Sequence, residues 1–353
     1  MSAELWALAI AVVTAISCAL CGSLLVVNRQ SMVSEALSHA VLPGLALAFF
    51  LLRDYNSPWL LISAAAGGML MIWLTELLRS TRVVDSDASL GIVFAGMFSL
   101  GILFVTNLLR NTHFHADCVL EGNLVLAPFD RLRWSKVDLG PRDWWLMSGI
   151  VAVQLVFILA CYKELKAMLF DPQLAGRFGL RPKLVEMIWL SVVSLTTVAA
   201  FNVAGSILIV GLMIAPPAAA FLLTQRLSDL LIVAVALAVL SAIAGFLVSL
   251  PMEIAPTGPV ASCAGLVFLL VYLFAPKTGL VSQHFQRKRK RADTVECLVL
   301  QLVADNTSLD QLTKNWNSVL SNLIDKELLV QANDKVLLTS FGQSKLDAML
   351  AEL

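Results

Sequence analysis

Long apolar stretches dominate this sequence and restrict it to one class of fold. An α-helix needs about 20 apolar residues to cross the hydrocarbon core of a bilayer, and nine segments approach or exceed that length. Of the 353 residues, 58% are hydrophobic and 14% are charged, whereas soluble domains average about 45–50% apolar and 25% charged residues. We therefore expect an all-α polytopic membrane protein. The predicted spans are Leu5–Val27, Met32–Leu52, Pro58–Leu78, Ala88–Val105, Trp144–Tyr162, Val185–Phe201, Ala204–Leu223, Leu227–Leu250 and Pro259–Phe274.

The span count and the orientation depend on two further features. Only Asn202 and Val203 separate the sixth and seventh spans, which could therefore be one broken element, so eight and nine spans both remain open. Loops rich in Lys and Arg stay in the cytoplasm. The basic connection 163–183 and the run Arg287–Arg291 are therefore expected inside. With nine spans the N-terminus lies outside, and the long connection 106–142 is external although it carries several Arg and Lys.

A carboxylate and an imidazole lie four residues apart near the start of the second span. At this spacing Glu35 and His39 share one helix face, with Ser38 alongside. Ionisable groups within a bilayer are costly, which favours a functional role. A carboxylate with an imidazole suits a borderline divalent ion such as zinc, manganese or ferrous iron. The alternative is a polar pair that caps the helix or hydrogen-bonds a neighbour, and the spacing alone leaves both open.

Prolines inside two spans predict helix breaks. Pro43 and Gly44 follow the Glu35–His39 pair, and Pro216 and Pro217 interrupt the seventh span. Non-helical backbone at membrane depth is tolerated where it is buried in protein or lines a cavity. We therefore expect these positions to be breaks in the wall of a pathway, with a purely structural kink as the alternative.

Two other groups of metal-ligating residue types carry weaker signals. Cys18 and Cys21 form a C-x-x-C inside an apolar span, which favours small packing residues over a redox or zinc pair. The sequence His113-x-His115-x-Asp117 lies in the external connection. An extended backbone would put both imidazoles on one side, where they could receive a metal ion. An ordinary polar loop is the alternative.

Several of these segments together resemble a known family, the membrane permease subunits of the zinc/manganese/iron branch of bacterial ABC importers. The resemblance covers about residues 5–275. Its segments, in the family's order, are 35–44, 87–94, 170–180 and 205–220, with a weaker match at 256–259. The first segment reads Glu35-x-x-Ser38-His39-x-x-Leu42-Pro43-Gly44. Many family members have Asp where this chain has Glu35, which keeps the carboxylate.

The resemblance implies partners and a mechanism. Such permeases pair with a second permease chain, identical or related, and sit on cytoplasmic ABC ATPase subunits. An extracytoplasmic binding protein delivers the metal, which is substrate and not a stably bound cofactor. Glu35 and His39 would contact the ion in transit, and Ser38 is a further candidate. The cytoplasmic segment with Asp171, Ala175 and Gly179 would be a short helix that docks on the ATPase.

The chain itself lacks the sequence needed to hydrolyse ATP. The phosphate-binding pattern G-x-x-x-x-G-K-[ST] does not occur in it. We therefore expect a transport subunit rather than an enzyme, with ATP used by the partner. One alternative is a self-sufficient secondary metal transporter, although the spans show no convincing inverted repeat and few acidic residues. A membrane-anchored metal-responsive regulator is the other.

The C-terminal tail has a different character. We divide the chain into a transmembrane permease domain (1–280), a basic linker (281–292) and a small α/β domain (293–353). Segments 309–312, 319–330 and 338–342 resemble the winged-helix domain of iron-dependent repressors. The domain carries four lysines and nine acidic residues, a net charge of −5, and DNA binding depends on neutralising phosphates with basic residues. Nucleic acid is therefore not an expected partner, and a regulatory or protein-contact role is preferred.

These expectations together define a location. The protein is expected in the bacterial cytoplasmic (inner) membrane, with multiple spans and with the C-terminal domain in the cytoplasm. The basic run Arg287–Arg291 lies just inside the last span. Its simplest roles are to set the orientation and to attract anionic lipid headgroups.

Overall fold

The computed structural model describes most of the chain as two units. The units are Met1–Ala275 and Pro276–Leu353. The described residues are 3–52, 58–81, 83–108, 124–134, 137–170, 182–276, 279–283, 295, 297–303, 319, 321, 323–324, 326, 328–332 and 335–352. Two groups of predicted site residues lie outside them, namely Asp171, Ala175 and Gly179, and His113, His115 and Asp117.

The first unit is a bundle of long apolar helices. Within the described residues, nine helical segments are long and apolar enough to cross a membrane, which confirms the larger of the two predicted counts. The helices are α1 Ala3–Val27, α2 Met32–Leu52, α3 Pro58–Ser80, α4 Ser86–Leu108, α5 Arg142–Ala160, α6 Tyr162–Phe170, α7 Pro182–Leu223, α8 Leu227–Met252 and α9 Thr257–Phe274. Helix α6 is too short to span, and α7 contains two candidate spans.

Helix α7 comprises two helices joined by a turn. Its two spans, Leu184–Phe201 and Val203–Leu223, pack side by side, because Oγ1 of Thr197 lies 3.9 Å from Sδ of Met213 although 16 positions separate them. At Gly205, φ is 76° and ψ is 164°. This backbone conformation is essentially open only to glycine. The sixth and seventh predicted spans are therefore two separate spans, and the turn between them includes Gly205.

The predicted proline breaks are wrong. Helix α2 continues through Pro43 and Gly44, and α7 continues through Pro216 and Pro217. A proline removes one N–H from a helix, and helices in membrane bundles tolerate this because their surroundings satisfy the freed carbonyl group. Pro43 is also a buried packing residue.

Packing divides the first unit into two groups of helices. Helix α1 is the most buried and packs against α5, α7 and α8, while α9 packs against α7 and α8. The second group is α2, α3 and α4, and α7 joins it to the first through contacts with α2 and α3. Helix α4 is largely exposed along its length.

The connection between α4 and α5 contains a small β-hairpin. Strand β1 (Arg131–Trp134) pairs antiparallel with β2 (Val137–Pro141), with an irregularity in register after Arg131. A single 3-10 turn, Ala127–Phe129, precedes it and packs against α1 and α5. At the adjoining helix ends the rings of Trp6 and Trp144 meet edge to face, with centroids 6.1 Å apart.

The second unit has a small core of its own. Strand β3 (Leu329–Ala332) pairs antiparallel with β4 (Lys335–Leu338), and helix α10 (Ser340–Glu352) follows. Residues 297–303 are helical. Of the three segments that resemble a winged helix, 309–312 lies outside the described residues. The buried side chains of this core include Val299, Leu300, Leu323, Leu329 and Leu346.

Candidate functional site

The predicted carboxylate–imidazole pair lies in the first two turns of α2. Glu35 is exposed and His39 is half-buried, and their spacing puts them on the same face of the helix. The imidazole ring of His39 contacts two rings of α4, with centroid distances of 5.6 Å to Phe94 and 5.2 Å to Phe98. Helix α4 thus forms an aromatic wall on one side of His39, while Glu35 stays accessible.

Helices α2 and α4 form a parallel seam beside this pair. A Cβ atom on Gly101 would lie 3.0 Å from the Cβ atom of Leu42, so contacts advance together along both helices. A Cβ atom on Gly91, one turn before Phe94, would meet nothing within 4 Å. The two helices are therefore in close contact at Gly101, whereas Gly91 has open space beside it.

Ser38 is placed differently from its two neighbours. Its side chain is 1% exposed, and its hydroxyl donates to the backbone carbonyl oxygen of Ser34 at 2.9 Å. The hydroxyl hydrogen is therefore used within α2.

Close packing on the opposite side of α2 holds the pair in position. A Cβ atom on Gly44 would collide with the carbonyl oxygen of Ser63 on α3. A Cβ atom on Gly67 would lie 3.2 Å from the carbonyl oxygen of Ala40. Gly44, predicted as a helix break, instead allows α2 and α3 to approach closely. The rigid contact with α3 supports the helix that carries Glu35 and His39.

The donor set at this site is small. In the part of the chain that the structure describes, no group of three or more His, Cys, Asp or Glu side chains is arranged to hold a metal ion. A structural zinc site uses four protein ligands. One carboxylate and one imidazole, those of Glu35 and His39, would provide two.

Comparison with known proteins decides the family. Residues 2–275 match the ABC 3 transport family. The chain belongs to this family. It is 35% identical over 283 residues to the manganese transport system membrane protein MntD of Bacillus subtilis, covering 80% of this chain and 96% of MntD. It is 40% identical over 272 residues to the zinc transport system membrane protein TroD of Treponema pallidum, covering 77% and 74% of the two chains.

The fold of this ABC 3 family chain is also found in a solved structure. PsaBC from Streptococcus pneumoniae, in complex with Fab, matches with a TM-score of 0.66 at 23% identity. The match covers 82% of this chain and 96% of the other. A further relative is the chelated iron transport system membrane protein YfeC of Yersinia pestis, 30% identical over 78% of this chain and 87% of YfeC. The structural match and the YfeC alignment each extend over more than three quarters of this chain.

The structure of this ABC 3 family chain also contains a cavity that sequence reasoning missed. It has a volume of about 380 Å³ and lies where the α1–α2 turn meets the adjoining ends of α3, α4 and α7. Gln30 donates from Nε2 to Oε1 of Glu186 at 2.8 Å across it. Its polar lining comprises Arg29, Gln30, Thr75, Glu76, Arg79, Ser80, Asp87 and Glu186. These residues are scattered along the sequence, so no local pattern could have grouped them.

Proposed function

We propose that this chain is the permease subunit of an ABC importer that carries a divalent transition metal into the cytoplasm. The observation that carries the proposal is membership of the ABC 3 transport family, together with relatives at 35% and 40% identity named manganese and zinc transport system membrane proteins. Manganese, zinc and iron are the candidate cargoes. A separate ATPase supplies the energy, and an extracytoplasmic binding protein supplies the metal.

Glu35 and His39 contact the metal during its passage. The shared helix face and the accessible carboxylate support this assignment. Carboxylate oxygen and imidazole nitrogen both ligate borderline divalent ions. Two protein ligands hold an ion weakly enough for release on the cytoplasmic side. Ser38 has a lesser role because its side chain is only 1% exposed.

The segment between α6 and α7 couples the permease to its ATPase. Asp171, Ala175 and Gly179 form this contact, and the basic residues around them support a cytoplasmic location. A second permease chain completes the transporter, and the exposed length of α4 is a surface on which it can pack. Residues 293–353 form a winged-helix-like cytoplasmic domain that contacts protein and does not bind nucleic acid, while Arg287–Arg291 contacts anionic lipid.

Metal uptake in cells that lack their own high-affinity importers tests the function. The chain is expressed with its ATPase and binding protein, and manganese, zinc and iron are supplied separately. We expect uptake to require both partners. Uptake should fall by about tenfold or more in Glu35→Ala and His39→Ala, because each removes one of two metal ligands.

Glu253→Ala is the matched control, since it removes an exposed carboxylate from the turn between α8 and α9. Expression levels are compared by immunoblot. Uptake that persists without the ATPase would contradict the ABC importer and favour a self-sufficient transporter. Normal uptake in both variants would remove the ion-contact role from Glu35 and His39 alone.

A further inference from the structure

A fully buried glutamine connects three helices of the first unit. Gln154 lies on α5, and its side chain is 0% exposed. Its Nε2 group lies 2.8 Å from Oγ1 of Thr196 on α7 and 2.9 Å from Oγ of Ser17 on α1. The same group lies 3.1 Å from Sγ of Cys21, also on α1. One side chain therefore links α5 to α1 and to α7.

The surroundings make these contacts significant. Helix α5 buries only about a fifth of its span, so most of its surface faces outward and Gln154 is turned into the bundle. Polar side chains in a membrane form hydrogen bonds between helices, and a low dielectric strengthens such bonds. Gln154 thus provides a directional contact for a helix that otherwise packs through a few apolar side chains.

A second contact joins α5 and α7 one turn away. The rings of Phe157 and Trp189 stack with centroids 5.5 Å apart, and Trp189 is 1% exposed. The hydrogen bond from Gln154 to Thr196 and this ring stack lie at successive levels along two antiparallel helices. The two contacts resist both sliding and tilting of α5 against the first half of α7.

These two helices flank the segment proposed to meet the ATPase. Helix α5 leads through α6 to residue 170, and α7 begins at Pro182. The turn at Gly205 follows Thr196 by nine residues. The part of α7 bound by Gln154 is therefore its first half, between that segment and the turn.

We propose that Gln154 is a positioning residue that makes α1, α5 and the first half of α7 move as one lever during transport. A movement imposed on the segment between α6 and α7 then reaches the bundle through both flanking helices at once. Without the contacts of Gln154, α5 tilts independently in the lipid, and part of each ATP-driven movement no longer shifts the bundle. This inference rests on the proposed function.

The test compares coupling in Gln154→Met with that in the wild type. Methionine keeps the length and volume of the side chain and loses the hydrogen bonds. Permease, ATPase and binding protein are reconstituted together in lipid vesicles, and ATP hydrolysed per metal ion imported is measured. We expect the ratio to rise by about threefold or more, the factor that corresponds to losing one membrane hydrogen bond of average strength.

Thr14→Val is the matched control. It removes a buried hydroxyl on α1 that has no hydrogen-bond partner among the described residues, so the ratio should stay at the wild-type value. Thr196→Val breaks one of the contacts of Gln154 and should raise the ratio. If Gln154→Met does not assemble, Thr196→Val replaces it in the test, and an unchanged ratio of ATP hydrolysed per metal ion in Thr196→Val contradicts the proposal.

A distance measurement separates a lever from a merely structural role. Spin labels at Lys163→Cys on α6 and Leu184→Cys on α7, both exposed positions, report the separation of the two flanking helices during turnover. We expect the distance distribution to broaden in Gln154→Met and not in Thr14→Val. If Gln154→Met keeps the wild-type ratio of ATP hydrolysed per metal ion, or the wild-type distance distribution, the proposed role of Gln154 is wrong.

Uptake by the wild type in the same vesicles checks the proposed function separately. ATP-driven wild-type uptake beside an unchanged ratio in Gln154→Met overturns the lever alone. Absence of ATP-driven uptake by the wild type overturns the proposed function, and the lever with it.

Discussion

Gly205 has a backbone conformation that only glycine adopts without strain. Its φ of 76° and ψ of 164° occur near the start of the second span of α7, at the turn from the first span, and the flanking residues Ala204 and Ser206 are buried. A side chain at this position would force the turn toward a different geometry. The break in α7 therefore depends on one residue, whereas the prolines further along the same helix leave it continuous.

The change Gly205→Ala should destabilise the permease by about 1–3 kcal/mol, because a residue with a Cβ atom is strained in this region of φ and ψ. We expect a lower thermal unfolding midpoint of the purified chain in detergent and reduced metal uptake. Gly211→Ala on the same helix is the control, since its Cβ atom would make an ordinary contact of 3.6 Å with Ala261. An unchanged midpoint in Gly205→Ala would contradict the strain.

At the scale of the element, glycines in the second helix group have opposite roles. Gly44 and Gly67 let α2 and α3 approach closely, whereas Gly91 and Gly96 on α4 face open space. Of these four, Gly44 carried a prediction from sequence, a helix break. The contacts of each helix decide between these roles, because a glycine matters for packing only where a neighbouring backbone lies against it.

A pair of substitutions distinguishes the two roles. Gly44→Ala places a methyl group against the carbonyl oxygen of Ser63 and should cost about 1–3 kcal/mol through overpacking. The Cβ atom introduced by Gly96→Ala would meet nothing within 4 Å. This substitution should therefore leave the thermal unfolding midpoint of the single permease chain unchanged. The midpoint is measured for both variants in the same detergent. Equal midpoints for Gly44→Ala and wild type would show that α2 and α3 can separate without cost.

At the scale of the whole molecule, nine spans place the N-terminus outside if the basic connections are cytoplasmic. The turn between α8 and α9, which carries the exposed Glu253, is then external. The turn between α7 and α8, which is followed by the exposed Ser228 in the first turn of α8, is then internal. The orientation of every helix follows from these two turns.

Labelling of single cysteines checks this orientation. Glu253→Cys should react with a membrane-impermeant maleimide in intact spheroplasts, whereas Ser228→Cys should react only after the membrane is permeabilised. Both variants carry serine in place of the other accessible cysteines, and the background chain without a new cysteine is the control. The reverse pattern of labelling would invert the topology.

The sequence by itself determined the class of fold, the spans and the family. Apolar length is a local property that the thickness of the bilayer converts into a helix, so the predicted spans match the helices closely. The β3–β4 hairpin and α10 also follow from local pattern. The spacing of Glu35 and His39 placed them on one helix face.

Only the tertiary structure decided how the helices act together. It moved the break in α7 from the prolines to Gly205, and it brought Phe94 and Phe98 of α4 against His39. Gln154 bonds to a serine 137 positions away and to a threonine 42 positions away. The physical reason is the sequence separation of the residues involved. The bilayer selects helices segment by segment, whereas helix contacts depend on residues far apart in the sequence that meet only after the bundle forms.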